Sequence, residues 1–139
     1  MGEAMGKRYE EVEHTADLAI RVYGWDMEEL FANAAWGMGQ LMANLEEVKP
    51  QIQRQIHLTA PDYDALLVDW LNELLYLGDT EGEFYAAYEI ESLSPTEIKA
   101  TVRGGKISEV KTEIKAVTFH GLEIKETEHG FEATIVFDV

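Results

Sequence analysis

Cysteine is absent from the 139 residues, so the chain has no disulfide framework, no thiolate nucleophile and no zinc–thiolate centre. Long apolar runs are also missing: no stretch approaches the ~20 residues that a membrane-spanning helix needs. The N-terminus, Met1-Gly2-Glu3-Ala4-Met5-Gly6-Lys7, has no apolar core behind its charge and does not read as a signal peptide. Gly6 stands where a myristoylation signal wants Ser or Thr. These absences together predict a cytoplasmic protein without a membrane partner. Positive charge is scarce as well. Eleven Lys and Arg face 27 Asp and Glu, a net of −16, and a phosphate backbone would be repelled by that field. Strong direct binding to nucleic acid is therefore not expected. A basic protein partner or a cation suits the charge better, although solubility alone would explain it.

Familiar catalytic signatures are missing too. Gly104-Gly105 has no Gly-Lys-Ser/Thr ending to make a phosphate loop. There is no Gly-x-Ser-x-Gly elbow, no His-Glu-x-x-His pair and no EF-hand loop.

What is present is a foldable pattern. Hydrophobic residues make up 46% of the chain, enough for the core of one domain over residues 1–139, with residues 1–7 expected to be a flexible extension. An extended stretch at 8–13 leads through His14-Thr15-Ala16 into a strand in which Leu18, Ile20 and Val22 alternate with Ala19, Arg21 and Tyr23, stopped by Gly24. Asp26 and Glu29 have capping-box spacing at the start of a first helix. Its apolar stripe runs from Met27 to Leu45, with Gly37 and Gly39 predicting close packing. After Lys49-Pro50 a strand follows through Ile52, Ile56 and Leu58.

Pro61-Asp62 opens a second helix, predicted to run to Leu77 and end at Gly78. It is apolar on most sides, with a narrow polar stripe of Asp69, Asn72 and Glu73. Strands are then expected at 84–91, 97–103, roughly 108–119, 122–126 and 131–137, with turns at Gly104-Gly105 and Glu128-His129-Gly130. The prediction is an α+β domain: two long amphipathic helices packed on a mixed, mainly antiparallel multi-stranded sheet.

Several constellations could carry chemistry. His14 and Asp17, three residues apart at a strand entrance, suit a metal or acid–base pair, but the tetrapeptide alone is more simply an Asp accepting turn hydrogen bonds. Asp138 beside the α-carboxylate of Val139 places two repelling carboxylates at a strand end, where a hard cation would relieve the repulsion. The plainer reading is a solvated terminus. Asp69 and Glu73 are like charges at i, i+4, mildly destabilising unless a cation or basic partner lies nearby, and ordinarily a solvated helix face. Lys115 is one of few cations in the acidic C-terminal half and could contact a phosphate or carboxylate, or simply be exposed.

Four segments in order carry a resemblance. His14-Thr15-Ala16-Asp17, Leu67-Val68-Asp69-Trp70-Leu71-Asn72-Glu73-Leu74-Leu75-Tyr76-Leu77, Lys115-Ala116-Val117-Thr118-Phe119-His120-Gly121-Leu122 and Phe137-Asp138-Val139 resemble the archease family across nearly the whole chain. The resemblance implies a non-catalytic activator of the tRNA-splicing RNA ligase. Such an activator promotes guanylylation of the ligase's histidine and its multiple turnover in tRNA splicing and RNA repair. It further implies a cation site at Asp17, Asp138 and Val139, with calcium expected and magnesium or manganese as alternatives, and a role for Lys115 in ligase activation. Asp69 and Glu73 are candidates for steering the encounter with the ligase. Two alternatives remain open: a chaperone or assembly factor for an RNA-modifying enzyme such as a tRNA methyltransferase, and a metal-dependent hydrolase using Asp17, His14 and Asp138.

Overall fold

Alternating side chains build most of this molecule. The computed structural model of the chain describes residues 7–12 and 18–139. Strands β1 (Tyr9–Val12) and β2 (Leu18–Gly24) are followed by helix α1 (Met27–Met42), a short 3-10 turn at Leu45–Glu47 and strand β3 (Ile52–Thr59). Helix α2 (Tyr63–Glu81) comes next. Strands β4 (Glu83–Ser94), β5 (Glu97–Lys106), β6 (Ala116–Thr118), β7 (Ile124–Thr127) and β8 (Gly130–Asp138) complete the chain. Apart from Lys7, the extension expected over residues 1–7 lies outside the described residues, and so does the His14–Asp17 segment.

The strands divide between two sheets instead of forming one. In the larger, the order is β1-β2-β8-β6, and β7 also pairs with β8; in the smaller it is β3-β5-β4. Every pairing is antiparallel among the described residues. One edge of β8 is taken by β2, and β7 and β6 share the other, β7 along Gly130–Ala133 and β6 along Val136–Asp138. The two helices lie against both sheets around one core that includes Ile20, Phe31, Trp70, Ile98 and Phe137, all buried. Trp70 donates its indole Nε1–H to the Phe31 carbonyl at 3.0 Å, so the largest core side chain also ties the helices together. Among the described residues no helix is long and apolar enough to cross a membrane.

Local chemistry explains most boundaries. The Asp26 carboxylate accepts from the Glu29 N–H at 2.8 Å, and the Glu29 carboxylate accepts from the Trp25 N–H at 2.7 Å, one residue before the cap. Gly37 and Gly39 sit where a Cβ would press on the Tyr9 ring (2.9 Å) and the Leu45 side chain (2.7 Å), the close packing that their presence predicted. Leu45 lies beyond α1, in the 3-10 turn, yet remains buried.

Three expectations are corrected. First, α2 does not stop at Gly78. It continues to Glu81 and ends at Gly82, whose φ of 68° is the left-handed cap that glycine adopts without strain. Second, Gly104-Gly105 is not a turn but lies inside β5, because a Cβ on Gly104 would fall 1.9 Å from the Phe84 carbonyl oxygen. Third, of the strand expected over 108–119 only Ala116–Thr118 forms. Residues 107–115 make a link tied down by backbone bonds instead: Ile107 N–H to Gly82 O (3.1 Å), Lys111 N–H to Met42 O (2.6 Å) and Lys115 N–H to Asp138 O (2.7 Å). The second of these satisfies a carbonyl that the end of α1 would otherwise leave open.

Candidate functional site

The C-terminal end of β8 gathers distant parts of the chain. Phe137 is fully buried and fixes the strand, while Asp138 and Val139 emerge from it, Val139 being 48% exposed. On one side Leu18, the residue after Asp17, pairs with Phe137. On the other side Ala116 pairs with Asp138, and the Lys115 N–H donates to the Asp138 carbonyl at 2.7 Å. Lys115 is thereby set beside the end of the chain, with its side chain exposed and no ion pair to any described residue.

Asn72 makes this arrangement rigid. Its carboxamide nitrogen donates to the Val117 carbonyl (3.2 Å), and its oxygen accepts from the Val117 N–H (2.9 Å). A side-chain amide here does the work of a neighbouring strand, holding the free edge of three-residue β6 to α2. The polar stripe noted on this helix therefore has two functions. Asn72 is structural and half-buried, whereas Asp69 is exposed and Glu73 half-buried on the outward side. Neither acid forms an ion pair with Lys115. One turn on, Tyr76 is 60% exposed and lines a groove of about 350 Å³ with Asn72, Asp79, Glu113 and Lys115.

Sequence reasoning missed the Asn72 clamp and the Tyr76 groove. An Asn inside an otherwise apolar helix was the available signal, since a polar group there needs a partner. Of the three residues expected to hold a metal, Asp138 and Val139 lie at the end of β8 and Asp17 lies outside the described residues; no cluster of three or more His, Asp or Glu that could hold a metal occurs among the described residues.

The strongest electrostatic coupling lies elsewhere. Glu83, 3% exposed, accepts two hydrogen bonds from the Arg54 guanidinium (2.9 and 2.8 Å) and one from the Tyr85 hydroxyl (2.6 Å). The Arg54 hydrogen bonds hold the Glu83 carboxyl below its ordinary range against the opposing effect of burial. Burial, reinforced by Glu83, pushes the Tyr85 hydroxyl up. On the outer face of the same sheet, His57 lies 2.6 Å from Glu97 and lowers the pKa of that carboxyl. His57 is thus an exposed strand residue.

With this geometry in view, comparison with known proteins decides the family. The model of the Archease protein family (MTH1598/TM1083) matches residues 9–139. The chain belongs to the archease family. Protein archease of Methanosarcina mazei is 40% identical, the match covering 98% of this chain and 99% of that one. Protein archease of Archaeoglobus fulgidus is 36% identical over 95% of this chain and 99% of that one. The solution structure of Methanobacterium thermoautotrophicum protein 1598 superposes with a TM-score of 0.78 at 32% identity, covering 95% of this chain and 99% of that one. A Thermotoga maritima crystal structure, described as an archease and "possible chaperone", gives 0.64 at 28% identity over 92% and 94%. Both likenesses agree with the two-helix, antiparallel α+β architecture found here.

Proposed function

We propose that this archease-family chain is a non-catalytic activator of the tRNA-splicing RNA ligase, promoting guanylylation of the ligase and its repeated turnover. One observation carries the reading: three of the segments behind the family resemblance meet at one end of the larger sheet. Asn72 of the second holds Val117 of the third, and Lys115 of the third is bonded to Asp138 of the fourth; Leu18, the residue after the first segment, pairs with Phe137. Stretches far apart in sequence are thus joined around the C-terminal end of β8, which is what a contact surface requires.

At that end Asp17, Asp138 and the Val139 α-carboxylate would hold a divalent cation, with calcium first and magnesium or manganese as alternatives. Their donors are hard oxygens, which fits such ions. The cation would neutralise charge where the partner's phosphoryl chemistry takes place, a reaction governed by positioning and charge compensation. Lys115, presented beside the cluster, would contact a phosphate or a carboxylate of the ligase. Asp69 and Glu73 would steer a basic partner surface towards this edge.

A single-turnover guanylylation assay with purified ligase tests the proposal. Wild type is expected to accelerate labelling of the ligase, and Asp17→Ala and Asp138→Asn to lose most of that effect. Equal stimulation by wild type and Asp17→Ala would sink the cation-site mechanism. A second reading takes support from the description of the Thermotoga relative: a chaperone for an RNA-modifying enzyme such as a methyltransferase. It predicts less client aggregation and unchanged guanylylation.

A further inference from the structure

We propose a second binding site, for a small phosphate-bearing anion, in a cleft built from the α1–β3 connection, the end of β5 and the link that follows it. The cleft encloses about 470 Å³ and is lined by Lys49, Lys106 and Lys111 together with Glu47, Glu109 and Asn44, among others. Three ammonium groups and two carboxylates give the lining a net of +1, in a chain whose net charge is −16. More than a quarter of the eleven cations thus meet at one concavity.

Their convergence is imposed by the backbone. Gly105 lets β5 approach the Lys49 carbonyl so closely that a Cβ would lie 2.7 Å from its oxygen, and this brings Lys106 alongside Lys49. The Lys111 N–H is bonded to the Met42 carbonyl at 2.6 Å, and the Ile107 N–H to the Gly82 carbonyl at 3.1 Å, so both ends of the facing wall are fixed. The lysines carry no contact ion pair with a described residue, and Lys106 acts on buried Glu83 only through space.

In an acidic protein, a cleft whose lining carries a net positive charge and no contact ion pair among the described residues suits an outside anion. The volume falls in the ordinary range of small-ligand sites. A compact anion such as a phosphate or diphosphate group suits a cleft lined by three lysines, and Asn44, Gln51 and Ser108 in the same lining offer neutral hydrogen-bonding groups. A nucleic-acid strand is disfavoured, because its further phosphates would run over acidic surface. The inference stands independently of the ligase reading, since none of these residues belongs to the site at the C-terminal end of β8.

The test is a titration of the 15N-labelled full chain with inorganic pyrophosphate, followed through backbone amide shifts at constant ionic strength. Saturable shifts are expected at Lys49, Gly105, Lys106 and Lys111. The Lys106→Ser/Lys111→Ser pair should weaken binding about tenfold, the order expected for losing charge-assisted contacts. Glu47→Gln should tighten it. Lys99→Ser/Lys125→Ser, which removes the same charge elsewhere, should leave it unchanged. Linear, unsaturable shifts, or equal weakening by the two lysine pairs, would overturn the site. So would tighter binding of a ten-nucleotide RNA with shifts spread beyond the cleft. Unchanged thermal unfolding of each variant keeps misfolding out of the comparison.

Discussion

Two polar centres divide the electrostatics of this molecule, and they behave oppositely. In the three-stranded sheet, the buried Glu83 carboxylate has its partners Arg54 and Tyr85 in place, and Arg54 also lies 3.6 Å from the Glu81 carboxylate. At the end of the five-stranded sheet, Lys115, Asp138 and Val139 are held by backbone bonds and by Asn72, while their charged groups face outward. In the first centre hydrogen bonding and burial displace the Glu83 and Tyr85 pKa values; the second joins segments that carry the family resemblance. A perturbed carboxyl is often a pointer to function, but here it marks an internal brace. The functional candidate is distinguished by charges that are positioned and left unpaired among the described residues.

Removing Glu83 tests that division most severely. Glu83→Ala removes both hydrogen bonds that Glu83 accepts from Arg54, leaving the guanidinium only its 3.6 Å contact with Glu81, and leaves the Tyr85 hydroxyl without its acceptor. The cost of breaking a buried pair is typically about 3–5 kcal/mol, and screening of Arg54, which is 40% exposed, reduces the expectation to about 2–3 kcal/mol. A urea midpoint shift at unchanged slope measures it. The pH dependence should change with it. The carboxyl's pKa is lowered in the folded state, so the unfolded chain binds more protons in acid, and stability rises with pH through that window. The contribution is complete above the unfolded carboxyl value, about 4.3, and disappears as pH falls through the lower folded value. Glu83→Gln should flatten this acid limb. A limb identical to that of wild type would mean that Glu83 is not the brace described.

How much of this contrast could be read from residues alone is instructive. Elements defined by local periodicity were legible: β2, α1, β3 and β8 follow their alternation or apolar stripe, and Asp26 marked a true cap. Positions set by tertiary approach were not. Gly104 looks like turn chemistry until the Phe84 backbone lies against it, and Gly78 looks like a helix stop until Gly82 is seen in the left-handed cap. The link at 107–115 has strand-like composition, but its hydrogen bonds go to two helix ends and to the end of β8, which no period reveals. Arg54 and Glu83 are 29 residues apart on different strands, so nothing local coupled them. Asp138 and the Val139 carboxylate were legible as candidates because paired carboxylates at a strand end are conspicuous, and Lys115 because cations are few in the acidic C-terminal half. Their proximity to one another was not, since it depends on the register of β6 against β8.

Asn72→Ala sharpens the comparison at intermediate cost. Two side-chain hydrogen bonds to the Val117 backbone are lost, for a destabilisation of about 1–2 kcal/mol. The loss should be local. Amide exchange of Val117 is expected to accelerate well beyond the change in global stability, while exchange in the Trp70 region follows the global value alone. If both regions respond equally, β6 is held by its pairing with β8 and the clamp is incidental.

The smallest effect on stability belongs to Lys115→Ala, and it is the most telling. The side chain is exposed and has no ion-pair partner among the described residues, and the bond to Asp138 comes from its backbone N–H, which alanine keeps. Unfolding free energy should therefore stay within about 0.5 kcal/mol of wild type. If the proposed role holds, stimulation of ligase guanylylation should fall sharply in the same preparation, and Lys115→Arg should restore part of it. The opposite pattern is expected for Glu83→Ala assayed below its unfolding transition, where stability is reduced and stimulation persists. Full stimulation by a stably folded Lys115→Ala would remove this lysine from the contact surface. The end of β8 would then depend on its carboxylates alone, with the division between an internal brace and an outward-facing end still standing.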